Sequence, residues 1–416
     1  MKKSIMLVAI FLIASMVLGA CAKAAEVPVV TEAPTEAPVV TEAPTEAPTE
    51  AVAGTLRIWA DEQRAPVLAE LGAKFKAEYN VDVVVENISG IRDQFTVAAP
   101  AGEGPDIIVI PHDQVPALVA SGLAAEIDLG EKKSDFVESS IKAFTYGGKL
   151  YGMPYAQENL GFFYNTELVP TPPTTWQEVH DISQKLIADG KVEYGIVLAG
   201  TSYDAYPWMT SQGGYIFGVD ANGDYNPADI GVGGEGMIKF GQMALDWVKD
   251  GTLSSNTDNT TAKSMFKDGN VAFFMNGPWE IKNLRKAGTP FAITKFPDGG
   301  TPFLGVQGFV VNAFSENILL AQTFLTEFVA TEDAMLKLYE ADPRGPAYIP
   351  ALEKVDDPDL KAIAEAGEGA LPMPAIPEMG AVWSDWGNAL TFIFNGEKTP
   401  EQAYTCLFYT SPSPRD

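Results

Sequence analysis

Val271-Ala-Phe-Phe-Met-Asn-Gly-Pro-Trp-Glu280 is the stretch that organises the reading of this chain. Its first five residues are apolar, with β-branched and aromatic side chains, and predict a buried strand. Asn276-Gly277-Pro278 ends that strand, because Gly permits unusual φ and Pro removes a backbone donor. Trp279 follows at the rim, where a flat aromatic either caps the sheet as a core residue or stacks on a ligand.

The chain has 416 residues, room for two ordinary domains, with 46% hydrophobic and 20% charged residues, a soluble globular composition. A formal net charge of −27 disfavours nucleic acid and anionic membrane surfaces as partners. With two His and two Cys, a His/Cys metal centre or a Cys–His nucleophile is hard to assemble, so neither metal nor cofactor is expected. Neither a G-x-x-x-x-G-K-[ST] run nor a G-x-S-x-G run is present, which leaves phosphate cradles and hydrolase elbows without support.

Lys2-Lys3 and the apolar run Ile5–Leu18 read as a secretion signal. Leu18-Gly-Ala-Cys21 resembles a bacterial lipobox, which implies a signal peptide over residues 1–20 and lipidation of Cys21; ordinary cleavage at Ala22-Lys-Ala24 is the alternative. Residues 21–53 then form a tether in which Val-Val-Thr-Glu-Ala-Pro-Thr-Glu-Ala-Pro occurs twice, from Val29 and from Val39. Regular Pro and Glu without aromatics offers nothing to bury, and such a spacer reaches about 3.1 Å per residue.

Beyond it, Thr55–Trp59, Val81–Val85 and Asp106–Ile110 read as strands, with a helix carrying Val67, Leu68, Leu71, Phe75 and Tyr79 between the first two. Strands alternating with helices predict a parallel α/β sheet, whose ligands bind beyond the carboxyl ends of the strands, where Asp61–Arg64 and His112-Asp113 fall. Thr175-Trp-Gln-Glu178 is a capping box opening a helix through Leu186. Asp220-Ala-Asn-Gly-Asp224 reads as a hairpin turn more than as a calcium loop. Short apolar runs at Phe291–Phe296 and Gly305–Val311 precede helices around Ala321–Val329 and Glu332–Tyr339. No single boundary divides the body, as expected of a ligand-binding protein whose chain crosses between lobes more than once.

Leu56-Arg-Ile-Trp59, Gly104-Pro-Asp-Ile-Ile108, His112-Asp113, Tyr164-Asn165, Thr174–Glu178, Gly213-Gly-Tyr215 and Asn276–Trp279 occur in the order in which maltose/maltodextrin-binding proteins carry similar motifs. Over about Gly54 to Tyr404 the chain resembles that family, the solute receptors of ABC importers. The resemblance implies an α/β, two-lobed periplasmic-binding-protein-like fold of type II over residues 54–405, with a hinge and an interlobe ligand cleft. By position it implies that Asp113 and Glu158 accept from sugar hydroxyls, that Tyr203 is an aromatic of the second lobe and that Trp279 and Trp383 stack on sugar. Asp61, Gln63 and Arg64 fall on a polar segment at the cleft, with Arg64 in the place of a lysine. The chemistry agrees: a pyranose offers edge hydroxyls to charged acceptors and C–H faces to aromatic planes.

Other roles stay open for Asp113, as a helix cap, and for Glu158, as the partner of a surface Lys; Trp59, Trp176 and Trp386 are assigned to packing. The chain departs from the pattern at Gln114, Ile110, Thr201 and Gly387, which leaves room for an oligosaccharide other than maltodextrin. The expected protein is a lipid-anchored, monomeric, non-enzymatic receptor facing the periplasm or cell exterior, delivering a maltodextrin-type sugar to ABC permease transmembrane subunits. A secreted glycosidase using Asp113 and Glu158 is the rival of another class. Thr399 caps a last helix from Pro400, and residues 406–416 resemble the translation of a sequencing-adapter oligonucleotide, so a non-native read-through tail is expected there.

Overall fold

A computed structural model describes residues 54–410 except 200–201, 221–223 and 256, with side chains through 405. The expected leader, Cys21, the tether, Thr201, the centre of the 220–224 turn and the last six residues lie outside the described residues.

The first lobe starts with β1 (Thr55–Ala60), α1 (Ala65–Tyr79), β2 (Asp82–Asn87), α2 (Ile91–Ala98) and β3 (Ile107–Pro111). β1 pairs in parallel with both β2 and β3, as the strand–helix alternation predicts. The chain then runs through β4 (Met153–Glu158) and leaves this sheet for β5 (Gly161–Asn165), the first strand of the second lobe. There follow α3 (Trp176–Ala188), β6 (Tyr194–Val197), α4 (Ser202–Ser211), α5 (Glu235–Lys249), β7 (Val271–Asn276), α6 (Ile281–Ala287) and β8 (Phe291–Thr294). The second sheet has the order β8-β5-β7-β6. The chain re-enters the first sheet as β9 (Phe303–Val311), wedged between β4 and β3. α7 (Glu332–Ala341) packs on the first lobe, whereas α8 (Pro358–Ala366), α9 (Met379–Phe394) and α10 (Pro400–Thr410) return to the second.

Neither sheet is wholly parallel. β9 runs antiparallel to both β3 and β4, and β5 antiparallel to both β7 and β8. The expected parallel pairing thus holds for β1–β3, while the strands at the lobe crossings run antiparallel. A strand that re-enters a lobe from its partner starts at the hinge side, where β3 ends, and so runs opposite to it.

β7 is buried along all six residues because its sheet is covered on both faces. Phe273 and Met275 belong to one core and Phe274 to the other, and Phe162 and Phe163 on β5 divide the same way. Trp176 stacks on Trp208 at 4.6 Å in that core, and Trp59 and Trp386 are likewise buried. The capping box forms as read: Thr175 accepts from the Glu178 amide, and Glu178 reaches back. Strands Phe217–Val219 and Tyr225–Ile230 pair antiparallel around the expected turn. α10 runs to Thr410, and Pro412 and Pro414 beyond it lie outside the described residues.

One fastening sits where the chain returns to the second lobe. Asp357 caps α8, accepting from the amides of Asp359 and Leu360, while Arg285 on α6 grips it at 2.9 and 2.5 Å. Tyr339 on α7 donates to the same carboxylate at 3.1 Å, tying in the first lobe. Burial works against ionisation here, but the hydrogen bonds and charge of Arg285 prevail and hold the carboxyl below its ordinary range. A lowered folded pKa contributes stability above the unfolded value, lost as pH falls through the folded one. Asp357→Asn should therefore destabilise the protein at neutral pH by about 1–3 kcal/mol, with the deficit closing below about pH 4. Urea titrations at both pH values check this, and an equal deficit at low pH would contradict it.

Candidate functional site

At the carboxyl end of β1 the chain turns through Asp61–Arg64 into α1. The Asp61 carboxylate accepts from the amides of Gln63 and Arg64, both at 3.1 Å, which folds the loop on itself. Arg64 then points inward. It is buried, donates to Tyr155 on β4, pairs with Asp61, and reaches Asp342 at 2.8 Å through Nη2. Burial alone would lower the Arg64 pKa, but Tyr155 and the Asp61 charge raise it, so the guanidinium stays charged.

Asp342 lies just past α7 and also pairs with Arg344, whose Nε donates to Glu158 at the end of β4. Glu158 accepts in addition from Gln307 on β9 at 2.9 Å. Two arginines and three carboxylates are thus laced together in the wall, which is how buried charges are tolerated. Among the described residues the ion-pair partner of Glu158 is Arg344, not a surface lysine.

Arg344 also reaches the second lobe, its Cζ lying 5.3 Å from the Trp279 ring centroid. The same indole packs closely against Gly277. A Cβ on Gly277 would come within 2.3 Å of the ring, while its φ of −108° is ordinary. Gly277 is required for close approach, not for an unusual φ, which corrects the sequence-based reason. Trp279, Lys282 and Asn283 from one lobe face Asp61–Arg64 and Asp342–Arg344 from the other across a cavity of about 560 Å³.

Asp113, Tyr203 and Trp383 meet beside this cavity. Asp113 stands in a short turn after β3 and makes no helix-cap hydrogen bond, which removes the capping role. Burial raises its pKa, opposed by His112, by Arg92 and by a hydrogen bond from Trp383 on α9. His112 is fully buried; Nδ1 accepts from the Val306 amide and Nε2 faces the Met373 carbonyl, each at 3.2 Å, so Nε2 carries the proton. Burial lowers its pKa and keeps the ring neutral.

Tyr203, on the first turn of α4, has its ring 6.3 Å from Trp383 and 6.4 Å from Phe303. Its hydroxyl is held protonated chiefly by burial and then by the nearby Glu158, with Arg344 and Asp113 also felt. Asp113 Oδ1 and the Tyr203 hydroxyl are both buried, yet find no hydrogen-bond partner among the described residues. Two such atoms, one from each lobe and close enough for Asp113 to be felt by the phenol, form an unfilled polar socket.

Of the residues named from sequence, Asp61, Gln63, Arg64 and Trp279 line the cavity and Asp113, Tyr203 and Trp383 cluster next to it. Glu158 joins the groups through Arg344. Gln63 is exposed at the rim, its side chain spent on Glu62 at 2.9 Å. Ile110 lies in the first core, Gln114 keeps a buried Oε1 without a partner among the described residues, and Gly387 lines a separate cavity of about 260 Å³. Sequence reasoning missed Arg344, Asp342 and Tyr155; two charges in the proline-bounded run Asp342-Pro-Arg-Gly-Pro346 were the available signal. Among the described residues there is no metal-holding cluster, and no helix long and apolar enough to cross a membrane.

The packing of Trp279 on Gly277 is directly testable. Gly277→Ala should push the indole off its seat and shift tryptophan emission, a shift that should vanish in a Trp279→Phe background. Unchanged emission in Gly277→Ala would contradict the geometry.

Known proteins place this architecture. The family model for bacterial extracellular solute-binding protein matches residues 70–368. A galactooligosaccharide-binding protein of Bacillus subtilis (strain 168) is 33% identical over 84% of this chain and 86% of its own. The maltodextrin-binding protein MdxE of the same strain is 27% identical over 83% and 86%. A maltooligosaccharide ABC transporter solute-binding lipoprotein of Streptococcus pneumoniae (strain ATCC BAA-255 / R6) is 26% identical over 84% and 86%. The chain belongs to the bacterial extracellular solute-binding protein family, whose members bind solutes and are not enzymes.

Proposed function

We propose that this chain is the extracytoplasmic receptor of an ABC importer and that its cleft takes a neutral oligosaccharide. The observation that carries the reading is the unfilled socket formed by Asp113 Oδ1 and the Tyr203 hydroxyl. Sugar hydroxyls donate and accept at once, so a single ring edge satisfies a carboxylate and a phenol together. The rings of Trp383 and Tyr203 next to the socket suit the apolar face of a pyranose. Buried Asp113, Glu158 and Asp342 argue against an anionic ligand.

In this reading Asp113 and Glu158 accept from the sugar, Tyr203 donates, and Trp383 covers a ring face. Asp61 and Arg64 hold the wall, Gln63 stands at the entrance, and Trp279 contributes together with Arg344. Maltodextrin is the ligand the sequence motifs favour. A galactooligosaccharide is the second reading, favoured by the 33% identity to a relative so named. Closure about the strand crossings Glu158–Gly161 and Thr294–Phe303 would present the loaded form to permease subunits, with the chain acting as a monomer tethered through lipid on Cys21. The relative from Streptococcus pneumoniae carries both ABC transporter and lipoprotein in its name.

Tryptophan fluorescence of the purified protein, titrated with maltose, maltotriose, longer maltodextrins and β-1,4-galactooligosaccharides, tests the proposal. A saturable change is expected with at least one series. Tyr203→Phe and Asp113→Asn should weaken it by roughly 10- to 100-fold, as for hydrogen bonds involving a charged group. Silence from folded protein with every oligosaccharide would remove the reading.

The raised pKa of Asp113 adds a pH signature. Hydroxyls donating to the carboxylate favour its ionised form, so the complex holds fewer protons than the free protein. Affinity should then rise with pH through the raised pKa and fall on acidification. His112, kept neutral by burial, adds no opposing charge above its lowered pKa. Asp113→Asn should flatten this dependence; a variant retaining the full slope would assign it elsewhere.

A further inference from the structure

His112 is fully buried, stands directly before Asp113 and spends both ring nitrogens on backbone groups of different lobes. The pairing of β3 with β9 ends where Pro111 meets Gln307. Val306, the next residue of β9 towards the crossing, gives its amide to His112 Nδ1 at 3.2 Å, so the imidazole takes over where the strand stops. That contact lies within the first lobe, since Val306 belongs to the first core. On the other side of the ring, Nε2–H donates to the Met373 carbonyl, also at 3.2 Å. Met373 belongs to a core of the second lobe.

Met373 is itself fixed. The strand Leu371–Pro372 pairs in parallel with Phe303 and Leu304 of β9, and the Met373 amide donates to the Leu304 carbonyl at 3.0 Å. Tyr225 donates to the Pro372 carbonyl at 2.6 Å. Six positions on, the chain enters α9, which carries Trp383, the donor to Asp113. The carboxylate and the indole are thus tied twice, once directly and once through the His112 ring behind them. A neutral imidazole suits this place because it holds one acceptor and one donor on diverging sides of a rigid ring. A protonated ring would offer two donors and leave the Val306 amide without an acceptor. Asp113 and Glu158 are the charges that favour protonation, and burial outweighs both.

We propose that His112 is a positioning residue of the binding site. Its Nε2–H bond to Met373 ties the turn carrying Asp113 to the segment leading into α9, and so sets the spacing of the Asp113 carboxylate and the Trp383 indole around the sugar. The inference rests on the oligosaccharide reading above and deepens it. The ring touches no ligand itself and acts through Asp113 and Trp383. Opening of the cleft would carry Met373 with the second lobe and Val306 with the first. The Nε2 bond is therefore the one that senses closure, while the Nδ1 bond stays within its lobe.

Asparagine and glutamine separate the two bonds, because the Asn carboxamide reaches the place of Nδ1 and the longer Gln carboxamide the place of Nε2. The test is calorimetric titration of the full chain with maltotriose and with β-1,4-galactotriose, for the wild type, His112→Gln and His112→Asn. His112→Gln should keep the affinity within about threefold of the wild type, and His112→Asn should lower it by roughly tenfold, the range of one hydrogen bond. Thermal melts without sugar record stability separately. A merely structural role would lower the melting temperature and leave the two variants with equal affinity; equal affinities, or the greater loss in His112→Gln, overturn the proposal. With two histidines in the chain, imidazole nitrogen NMR of the wild type gives a second readout that needs no variant. His180, bonded to Asp250 at 2.8 Å, is the internal reference. Saturating sugar should shift the Nε2 resonance of the buried neutral ring and leave Nδ1 nearly in place. An Nε2 signal that ignores the sugar overturns the proposal even where neither variant folds. A wild-type chain that binds neither trisaccharide overturns the oligosaccharide reading first, and this inference with it.

Discussion

The ion lattice Arg64–Asp342–Arg344–Glu158 is the constraint on which the cleft depends. Its members come from four places in the chain: the loop after β1, the end of β4, and two points just past α7. Charges removed from water cost several kcal/mol each unless neighbours compensate them, so each member confines the next. Removing one would leave another buried and unpaired. The lattice therefore fixes the first-lobe wall of the cleft before any ligand arrives, and Arg344 extends it to Trp279 of the second lobe.

Topology explains why such a lattice sits there. β9 returns from the second lobe and lies between β3 and β4, which brings Gln307 beside Glu158 and Val306 beside His112. A chain that passes from one sheet to the other and back places strand ends, turns and helix starts around one crevice. That crevice is where unpaired backbone ends and aimed side chains collect, as in open α/β sheets generally. Asp357, shared by Arg285, Tyr339 and the start of α8, secures the last return.

Much of the fold was legible because its signals are local. The capping box at Thr175 needs only four neighbouring residues, and it formed as written. β7 declared itself by an unbroken apolar run because both faces of its sheet are covered. The family order of motifs led to the two-lobed fold, now supported by the family match over residues 70–368. What could not be read was set by distant contacts. Glu158 and Arg344 lie 186 positions apart, so their pairing leaves no local trace. The reason for Gly277 is an indole folding back onto it, which dihedral preference does not reveal. The antiparallel course of β9 follows from where the chain re-enters, not from its composition. Nothing near Trp279 in sequence announces the guanidinium above it.

The most direct test of the account is a crystal structure with whichever oligosaccharide saturates the protein. Ligand oxygens should stand within hydrogen-bond distance of Asp113 Oδ1 and the Tyr203 hydroxyl, with contacts from both lobes. A sugar seated elsewhere, such as in the cavity beside Gly387, with those two atoms still unpartnered, would contradict it.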